Sequence, residues 1–259
     1  MNHLFRIVAL ACLSVPAVLS AAAPARPEPT RELVAVSITG TMPPEMFYRD
    51  AATGNPVPFR VGLWSAGPVM RIGLASEIEL YKQAKDEKGN PIMIPATRLT
   101  VPQGKPEAEG RLLLVFHLDA QGRTTYRALA ADVAGAPSGS VRFFNLSEVP
   151  VIYRLNNDVA TLAVGQSAVS GKKFTTSESF KLAYGLENPG EGIYRSNTVK
   201  LYFPRDDMRL IVLFGTLPEE VTDANGHTKQ LLQIRDARIY ERVPVARPPA
   251  PQVAAMTRP

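Results

Sequence analysis

The chain contains almost no cysteine: among its 259 residues the only one is Cys12. Cys12 lies in an N-terminal stretch that we expect to be cleaved off, so the mature chain would contain none. This excludes a disulfide framework, a thiol nucleophile and a thiolate metal site. Modules of about 100 residues can fold without such staples. We therefore expect the stability to come from hydrophobic cores.

Histidine is also scarce, and the basic residues are not clustered. The chain has three histidines, and two of them, His117 and His227, lie in the predicted mature part. Two isolated histidines without cysteine do not make a zinc site, so the sequence predicts no metal and no cofactor. The net charge is +5, yet the longest run of basic residues is Lys172-Lys173. A nucleic-acid-binding protein normally shows a basic stripe, and we expect no nucleic-acid partner.

The N terminus carries a short apolar run rather than a membrane span. A basic start that ends at Arg6 is followed by apolar residues 7–19 and by small residues 20–23. This pattern predicts a signal peptide over residues 1–22, because the run is too short to cross a bilayer stably. We therefore expect a secreted, periplasmic or cell-envelope-associated protein with no integral membrane span after signal removal. The expected partner is an envelope protein or polysaccharide.

No convincing amphipathic helix occurs in the predicted mature chain. It consists instead of short β-prone segments bounded by Gly, Pro, Asn or Asp. Residues 76–85 are ambiguous, since Ser76 and Glu79 imitate a helix capping box, but alternating apolar and polar residues favour a strand there. Residues 111–117 are almost continuously apolar, which predicts a central strand buried on both faces.

One series of segments occurs twice in the same order. Val36 falls on Val141 when the first pair of segments is aligned without a gap, and Tyr48 then falls on Tyr153. Three matched segments in one order predict an internal duplication. The matched segments are residues 36–49 with 141–154, residues 98–102 with 200–204, and residues 111–116 with 209–214.

The turn Asn145-Leu146-Ser147, followed by Pro150 and Gly165, resembles the opening of immunoglobulin-like modules in secreted, uncharacterised bacterial envelope proteins. The resemblance covers about a fifth of one copy and bears on the fold alone. With the many short strands, it predicts an all-β protein of two tandem immunoglobulin-like β-sandwich modules related by internal duplication. The predicted parts are a signal peptide (1–22), a Pro-rich leader (23–32), a first module (33–133), a second module (140–242) and a disordered Pro-rich tail (243–259).

Catalytic motifs are incomplete. His117 and Asp119 share one face of a strand and would suit a base with its orienting partner, but a strand end that emerges into water beside a turn is the favoured interpretation. Ser170 and Lys173 have Ser-x-x-Lys spacing without the accompanying motifs. The carboxylates of Asp206-Asp207 would point to opposite faces of a strand. We predict no catalytic residue and a protein that is not an enzyme.

Five residues are candidates for binding. Trp64, the only tryptophan, would serve as a stacking platform for a sugar or an anchor for a partner, although burial in a core is the favoured interpretation. Tyr48-Arg49 and Tyr153-Arg154 repeat one pair, and alternation puts Tyr and Arg on opposite faces. The function predicted is a non-enzymatic binding or structural protein of the cell envelope. The alternatives are a carbohydrate-binding module and an extracellular hydrolase.

Overall fold

The protein is all-β. In a computed structural model, the described residues form strands and no helix, and hence no helix that is long and apolar enough to cross a membrane. The predicted signal peptide, most of the leader and nearly all of the tail lie outside the described residues. The first strand begins at Thr30, three residues before the predicted start at Leu33. The structure describes residues 29–103, 111–119, 121–130, 136–188, 192–222 and 225–243.

The strands form four sheets, which we number 1 to 4 in the order in which they stack. The N-terminal half of the chain forms sheets 1 and 2. Sheet 1 has the order β3-β2-β6-β7, and sheet 2 has the order β4-β1-β8-β9 with β5 also paired to β1. Their bounds are β1 Thr30–Ser37, β2 Phe47–Arg49, β3 Pro56–Pro58, β4 Val61–Leu63, β5 Met70–Gly73, β6 Glu77–Lys85, β7 Pro91–Thr100, β8 Leu112–Leu118 and β9 Thr124–Ala130.

The C-terminal half forms sheets 3 and 4. Sheet 3 has the order β13-β10-β16-β17, and sheet 4 has the order β12-β11-β14-β15. Their bounds are β10 Val141–Asn145, β11 Val151–Leu155, β12 Asp158–Leu162, β13 Ser167–Val169, β14 Ser179–Asn188, β15 Gly192–Tyr202, β16 Met208–Thr222 and β17 Thr228–Arg242.

The inner sheets 2 and 3 are buried on both faces. Successive residues of a strand point to opposite sides, so Leu112 and Leu114 of β8 pack against sheet 1, whereas Leu113 and Val115 pack against sheet 3. All four are buried. The prediction that residues 111–117 form a central, doubly buried strand is confirmed.

An apolar layer joins the two halves of the chain. We call it the middle layer; it lies between sheets 2 and 3. A second core lies between sheets 1 and 2, and a third lies between sheets 3 and 4. The four sheets therefore alternate with three apolar layers. The buried residues of the middle layer are Val34, Val36, Ile38, Leu113, Val115, Leu129, Phe144, Leu146, Ile211, Leu213, Ala237 and Ile239.

The ambiguous segment at residues 76–85 is a strand. Within β6, Ile78 and Leu80 are buried and alternate with more exposed neighbours. Its partner β7 is an edge strand and contains Pro91 and Pro95, which cannot donate to a further ladder. The strand prediction is confirmed here, because alternation outweighs a capping-box pattern that has no helical periodicity behind it.

The central pairs of sheets 2 and 3 are parallel. β1 runs parallel to β8 with Leu33 opposite Leu112, and β10 runs parallel to β16 with Val141 opposite Leu210. The gapless alignment puts Leu112 on Leu210, as this pairing does, but it puts Val36 rather than Leu33 on Val141. The register of the first strand is therefore displaced by three residues from that alignment.

A polar corner follows each of these first strands. Asn145 is fully buried and donates from Nδ2 to the carbonyl of Val149 at 2.8 Å, and Ser147 Oγ donates to the same carbonyl at 2.8 Å. In the N-terminal half, Ser37 Oγ donates to the carbonyl of Thr41 at 2.7 Å, and Thr39 Oγ1 donates to it at 3.0 Å. Both corners thus satisfy one carbonyl with two side chains where the strand ends.

A buried ion pair lies near the connection between the halves. Arg209 donates to Glu241 Oε2 from Nη2 at 2.7 Å and from Nε at 2.9 Å. The two side chains are 1% and 6% exposed. Arg209 Nη1 also donates to the carbonyl of Ala136 at 3.0 Å. Ala136 lies between the two predicted modules, 33–133 and 140–242, so Arg209 ties the connection between them to sheet 3.

Candidate binding site

The first Tyr-Arg pair is divided between a core and a surface. Tyr48 is 4% exposed and packs edge-to-face on Phe59 with ring centres 6.2 Å apart. Burial raises the pKa of Tyr48 above its usual value. Arg49 is exposed on the outer face of sheet 1, with its guanidinium carbon 5.4 Å from the centre of the Tyr81 ring. Only the arginine faces outward.

The second Tyr-Arg pair is divided in the same way. Tyr153 is buried and stacks on Phe143 with ring centres 4.3 Å apart, and burial raises its pKa. Arg154 is exposed on the outer face of sheet 4. Opposite faces for Tyr and Arg are confirmed in both pairs.

A pocket of about 260 Å³ opens on the outer face of sheet 4. Arg154 on β11 stands opposite Ala183 on β14, which stands opposite Thr198 on β15. Because Ala183 and Gly185 have little or no side chain, they leave a depression between taller neighbours. The lining residues are Ile152, Tyr153, Arg154, Val159, Ala183, Tyr184, Gly185 and Thr198.

Two lysines and a tyrosine lie beside this pocket on the same face. Lys181 and Lys200 stand directly opposite each other, both are exposed, and neither forms an ion pair with another described residue. Like charges in this position destabilise a sheet. Tyr202 lies two residues beyond Lys200 and is 63% exposed. We call Arg154, Lys181, Lys200 and Tyr202 the sheet 4 cluster.

The outer face of sheet 1 combines positive with negative charges. The pair that follows the buried Ile78–Leu99 pair in the ladder is Glu79–Arg98, with Arg98 Nη2 3.3 Å from Glu79 Oε1. Tyr81 also donates to the Glu79 carboxylate, and this bond, more than Arg98, lowers the pKa of Glu79. The positive charges of this face are thus partly neutralised.

The corresponding pair in sheet 4 consists of two cations. Lys181–Lys200 follows the buried Phe180–Leu201 pair in its ladder. By alternation, the described outward-facing side chains of this sheet include no acid. The contrast singles out the outer face of sheet 4 as the candidate site. Of the residues predicted to bind, it contains Arg154, whereas Lys181, Lys200 and Tyr202 were missed.

Trp64 lies at the rim of the middle layer. It is partly buried and packs against that layer, and its backbone N–H donates to the carbonyl of Ser37 at 2.9 Å. Its φ of 53° is uncommon for a bulky residue. The guanidinium carbon of Arg235 lies 5.8 Å from its ring centre. Trp64 therefore lies between the middle layer and solvent. It does not belong to the sheet 4 cluster.

The candidate base and its orienter are not brought together. His117 Nδ1 lies 3.0 Å from the carbonyl of Leu118. Asp119 Oδ1 accepts from the backbone N–H groups of Gln121 and Arg123, both at 2.9 Å. These bonds, first that from the Arg123 N–H, lower the pKa of Asp119. Asp119 organises its own turn.

The remaining polar candidates have structural contacts. Ser170 Oγ donates to the carbonyl of Lys172 at 2.9 Å, within a turn. Asp206 Oδ1 accepts from the backbone N–H of Thr176 at 3.0 Å. Asp207 pairs with Arg205 at 2.9 Å, and the hydrogen bond from Arg205 lowers the pKa of Asp207. Each carboxylate of the Asp206-Asp207 pair thus has its own partner.

A polar network around the buried Tyr184 lies beneath the pocket. Tyr184 donates its hydroxyl hydrogen to Asp236 Oδ1 across the core between sheets 3 and 4. Arg238 Nε lies 2.9 Å from Asp236 Oδ2, without the alignment of a hydrogen bond. Asn197 Nδ2 donates to the carbonyl of Ile234 at 3.3 Å. Burial first, and then the bond to Asp236, raise the pKa of Tyr184.

This raised pKa predicts a loss of stability at alkaline pH. Unfolded tyrosine ionises near pH 10, whereas folded Tyr184 keeps its proton, so its contribution is complete below about pH 10 and decreases above it. Urea unfolding at pH 9 and pH 11 should show a smaller alkaline loss in Tyr184→Phe than in the wild type. Equal losses in the two proteins would contradict this assignment.

No group of three or more His, Cys, Asp or Glu side chains suited to a metal occurs in the described ranges. The outer face of sheet 4 combines three exposed cations, a small pocket and an exposed aromatic ring. Such a surface suits reversible recognition of a ligand. No protein-family model and no curated protein matches this chain.

Proposed function

We propose that this chain is a non-enzymatic binding protein of the cell envelope, and that it binds its ligand on the outer face of sheet 4. The observation that carries the proposal is the pocket over Ala183 and Gly185 beside the Lys181–Lys200 pair. A cross-strand pair of like charges costs stability. Its presence beside a pocket is explained by an external partner.

We further propose that the two halves are tandem copies of one β-sandwich module. The central strands of sheets 2 and 3 follow the same order, β1-β8-β9 and β10-β16-β17, with a parallel first pair in each, which supports this reading. The edges differ, because β4 runs parallel to β1 whereas β13 runs antiparallel to β10. The corners at Ser37 and Asn145 support it as well. An immunoglobulin-like origin remains part of the proposal, and it must accommodate these parallel pairs, because sheets of that type are antiparallel.

The export of the protein is proposed from the N-terminal sequence. A basic start, an apolar run and small residues within residues 1–22 support cleavage and secretion. An envelope polymer is then the ligand most accessible to the mature chain.

A carbohydrate is the second candidate for the ligand. The observation that favours it is the exposure of Tyr202, which is 63% accessible on the same face as the pocket. An exposed aromatic ring offers a flat apolar platform with a polar edge. In this version of the proposal Tyr202, rather than Trp64, is the stacking residue.

Filling the pocket tests the proposed function. The variant Ala183→Trp places a bulky ring over the floor and should lower retention of the mature chain by insoluble envelope polymers at least tenfold. Co-sedimentation over a range of polymer concentrations measures this. The physical reason is that a ligand cannot approach a floor that is already covered.

The matched control places the same ring elsewhere. Gln83 is exposed on β6 of sheet 1, and Gln83→Trp should leave retention unchanged. Circular dichroism and thermal unfolding establish that both variants fold. Equal retention of folded Ala183→Trp and wild type would refute the assignment of the binding face.

A further inference from the structure

We infer that the ligand of the sheet 4 cluster is an acidic oligosaccharide, a chain of sugar rings that carry carboxylate or other anionic groups. The inference rests on the proposed function and specifies the chemistry of its ligand. It draws on three features of one sheet face: the cations, the pocket and the exposed tyrosine.

The cations lie close together. Lys181 and Lys200 are direct cross-strand neighbours, which places their Cβ atoms about 5 Å apart. Arg154 is opposite Ala183, two residues from Lys181, and such diagonal neighbours are about 7–8 Å apart. None of the three forms an ion pair with a described residue. An anion that bridges them would relieve their mutual repulsion.

The three features lie in a line along β14 and β15. The pair Ala183–Thr198 belongs to the pocket, Lys181–Lys200 comes next, and Ser179–Tyr202 follows. From Ala183 to Ser179 the strand advances about 14 Å at 3.4 Å per residue. An extended ligand of several rings therefore touches pocket, cations and tyrosine at once.

The pocket and the tyrosine favour sugar over an acidic peptide. The pocket combines apolar walls at Ile152 and Val159 with the hydroxyl of Thr198, which suits the mixed faces of a sugar ring. Tyr202 presents an exposed ring at the other end of the line. A purely electrostatic partner would need neither feature.

The test compares two sugars of equal length. Calorimetric titration of the mature chain at low salt should show binding of a hexamer of galacturonic acid at least tenfold tighter than that of maltohexaose, which is uncharged. Lys181→Glu should weaken binding of the acidic hexamer at least tenfold. Lys181→Glu replaces the Lys–Lys pair by a pair of opposite charges, like Glu79–Arg98 in sheet 1. The melting temperature of this variant should therefore equal or exceed that of the wild type.

The control is Lys85→Glu, which makes the same charge change at an exposed position of β6. It should leave affinity for the acidic hexamer within twofold. A loss as large as that of Lys181→Glu would mean that net charge alone governs binding, and would overturn the inference.

Further arms separate the ligand classes. Polyglutamate that binds as tightly as the acidic hexamer, with Tyr202→Ala without effect on either, would overturn the sugar assignment. If the two hexamers bind equally tightly, or if neither binds, the assignment of an acidic ligand would be overturned. The proposed function would still be decided by Ala183→Trp on envelope polymers, so the two failures are distinguishable.

Discussion

Replacing Glu241 by alanine should lower the free energy of unfolding by about 3–5 kcal/mol, the usual cost of removing one partner of a buried ion pair. Arg209 is 1% exposed, and the substitution removes from this buried cation the carboxylate that accepts two of its hydrogen bonds. The neutral carbonyl of Ala136, to which Arg209 also donates, does not replace a carboxylate. Urea denaturation followed by circular dichroism measures the change.

The matched control removes both charges. Arg209→Met combined with Glu241→Leu should be about neutral or stabilising, because desolvation of the two ions and their mutual attraction are lost together. A loss below about 1 kcal/mol in Glu241→Ala would contradict the view that Glu241 balances the buried charge of Arg209.

Replacing Leu213 by alanine should lower the free energy of unfolding by about 2–5 kcal/mol. Leu213 is 0% exposed and lies in the middle layer. Shortening it leaves a cavity between sheets 2 and 3, and the sheets cannot close around it without moving residues on their other faces. Denaturant titration measures the loss.

Val159→Ala is the matched control, since Val159 is 65% exposed and its truncation should change stability by less than about 0.5 kcal/mol. The fluorescence of Trp64, at the rim of the middle layer, should change in the same transition as the circular dichroism. Separate transitions for the two probes would show that the halves unfold independently and that the middle layer contributes little.

Burial of the inner sheets was predictable from composition, whereas its cause was not. Leu112 to Phe116 are apolar without alternation, which is the pattern of a strand covered on both sides. The sequence does not state that the second cover is sheet 3 of the other half. The packing of sheet 2 against sheet 3 depends on apolar residues of strands that are distant in sequence, such as Val36 and Leu213. No local sequence pattern links these residues.

The register of the first strand was not predictable from identity of residues. The alignment of Val36 with Val141 rests on a valine, and β-branched residues are common throughout strands. The pairing instead follows the corners, since Ser37 and Asn145 play the same part at the end of β1 and of β10. Different side chains perform one function there, so a comparison of letters does not detect it.

The candidate site was predictable in part. Arg154 drew attention because it repeats Arg49, but Lys181 and Lys200 are nineteen positions apart and meet only through the β14–β15 ladder. The informative difference lies in the cross-strand partners of two matched basic residues. Arg98 in the first half is opposite Glu79, whereas Lys200 in the second half is opposite Lys181. Recognising it requires the strand pairing.

The order of the four sheets turns sheets 1 and 4 away from each other. Three intervals of about 10 Å separate them, so no single short ligand reaches both. Because Glu79 pairs with Arg98 on sheet 1 whereas Lys181 faces Lys200 on sheet 4, the proposed polyanion would bind at the sheet 4 end of the stack. If sheet 4 binds an envelope polymer as proposed, the protein would attach through that face alone, and its opposite end would be available to a different neighbour.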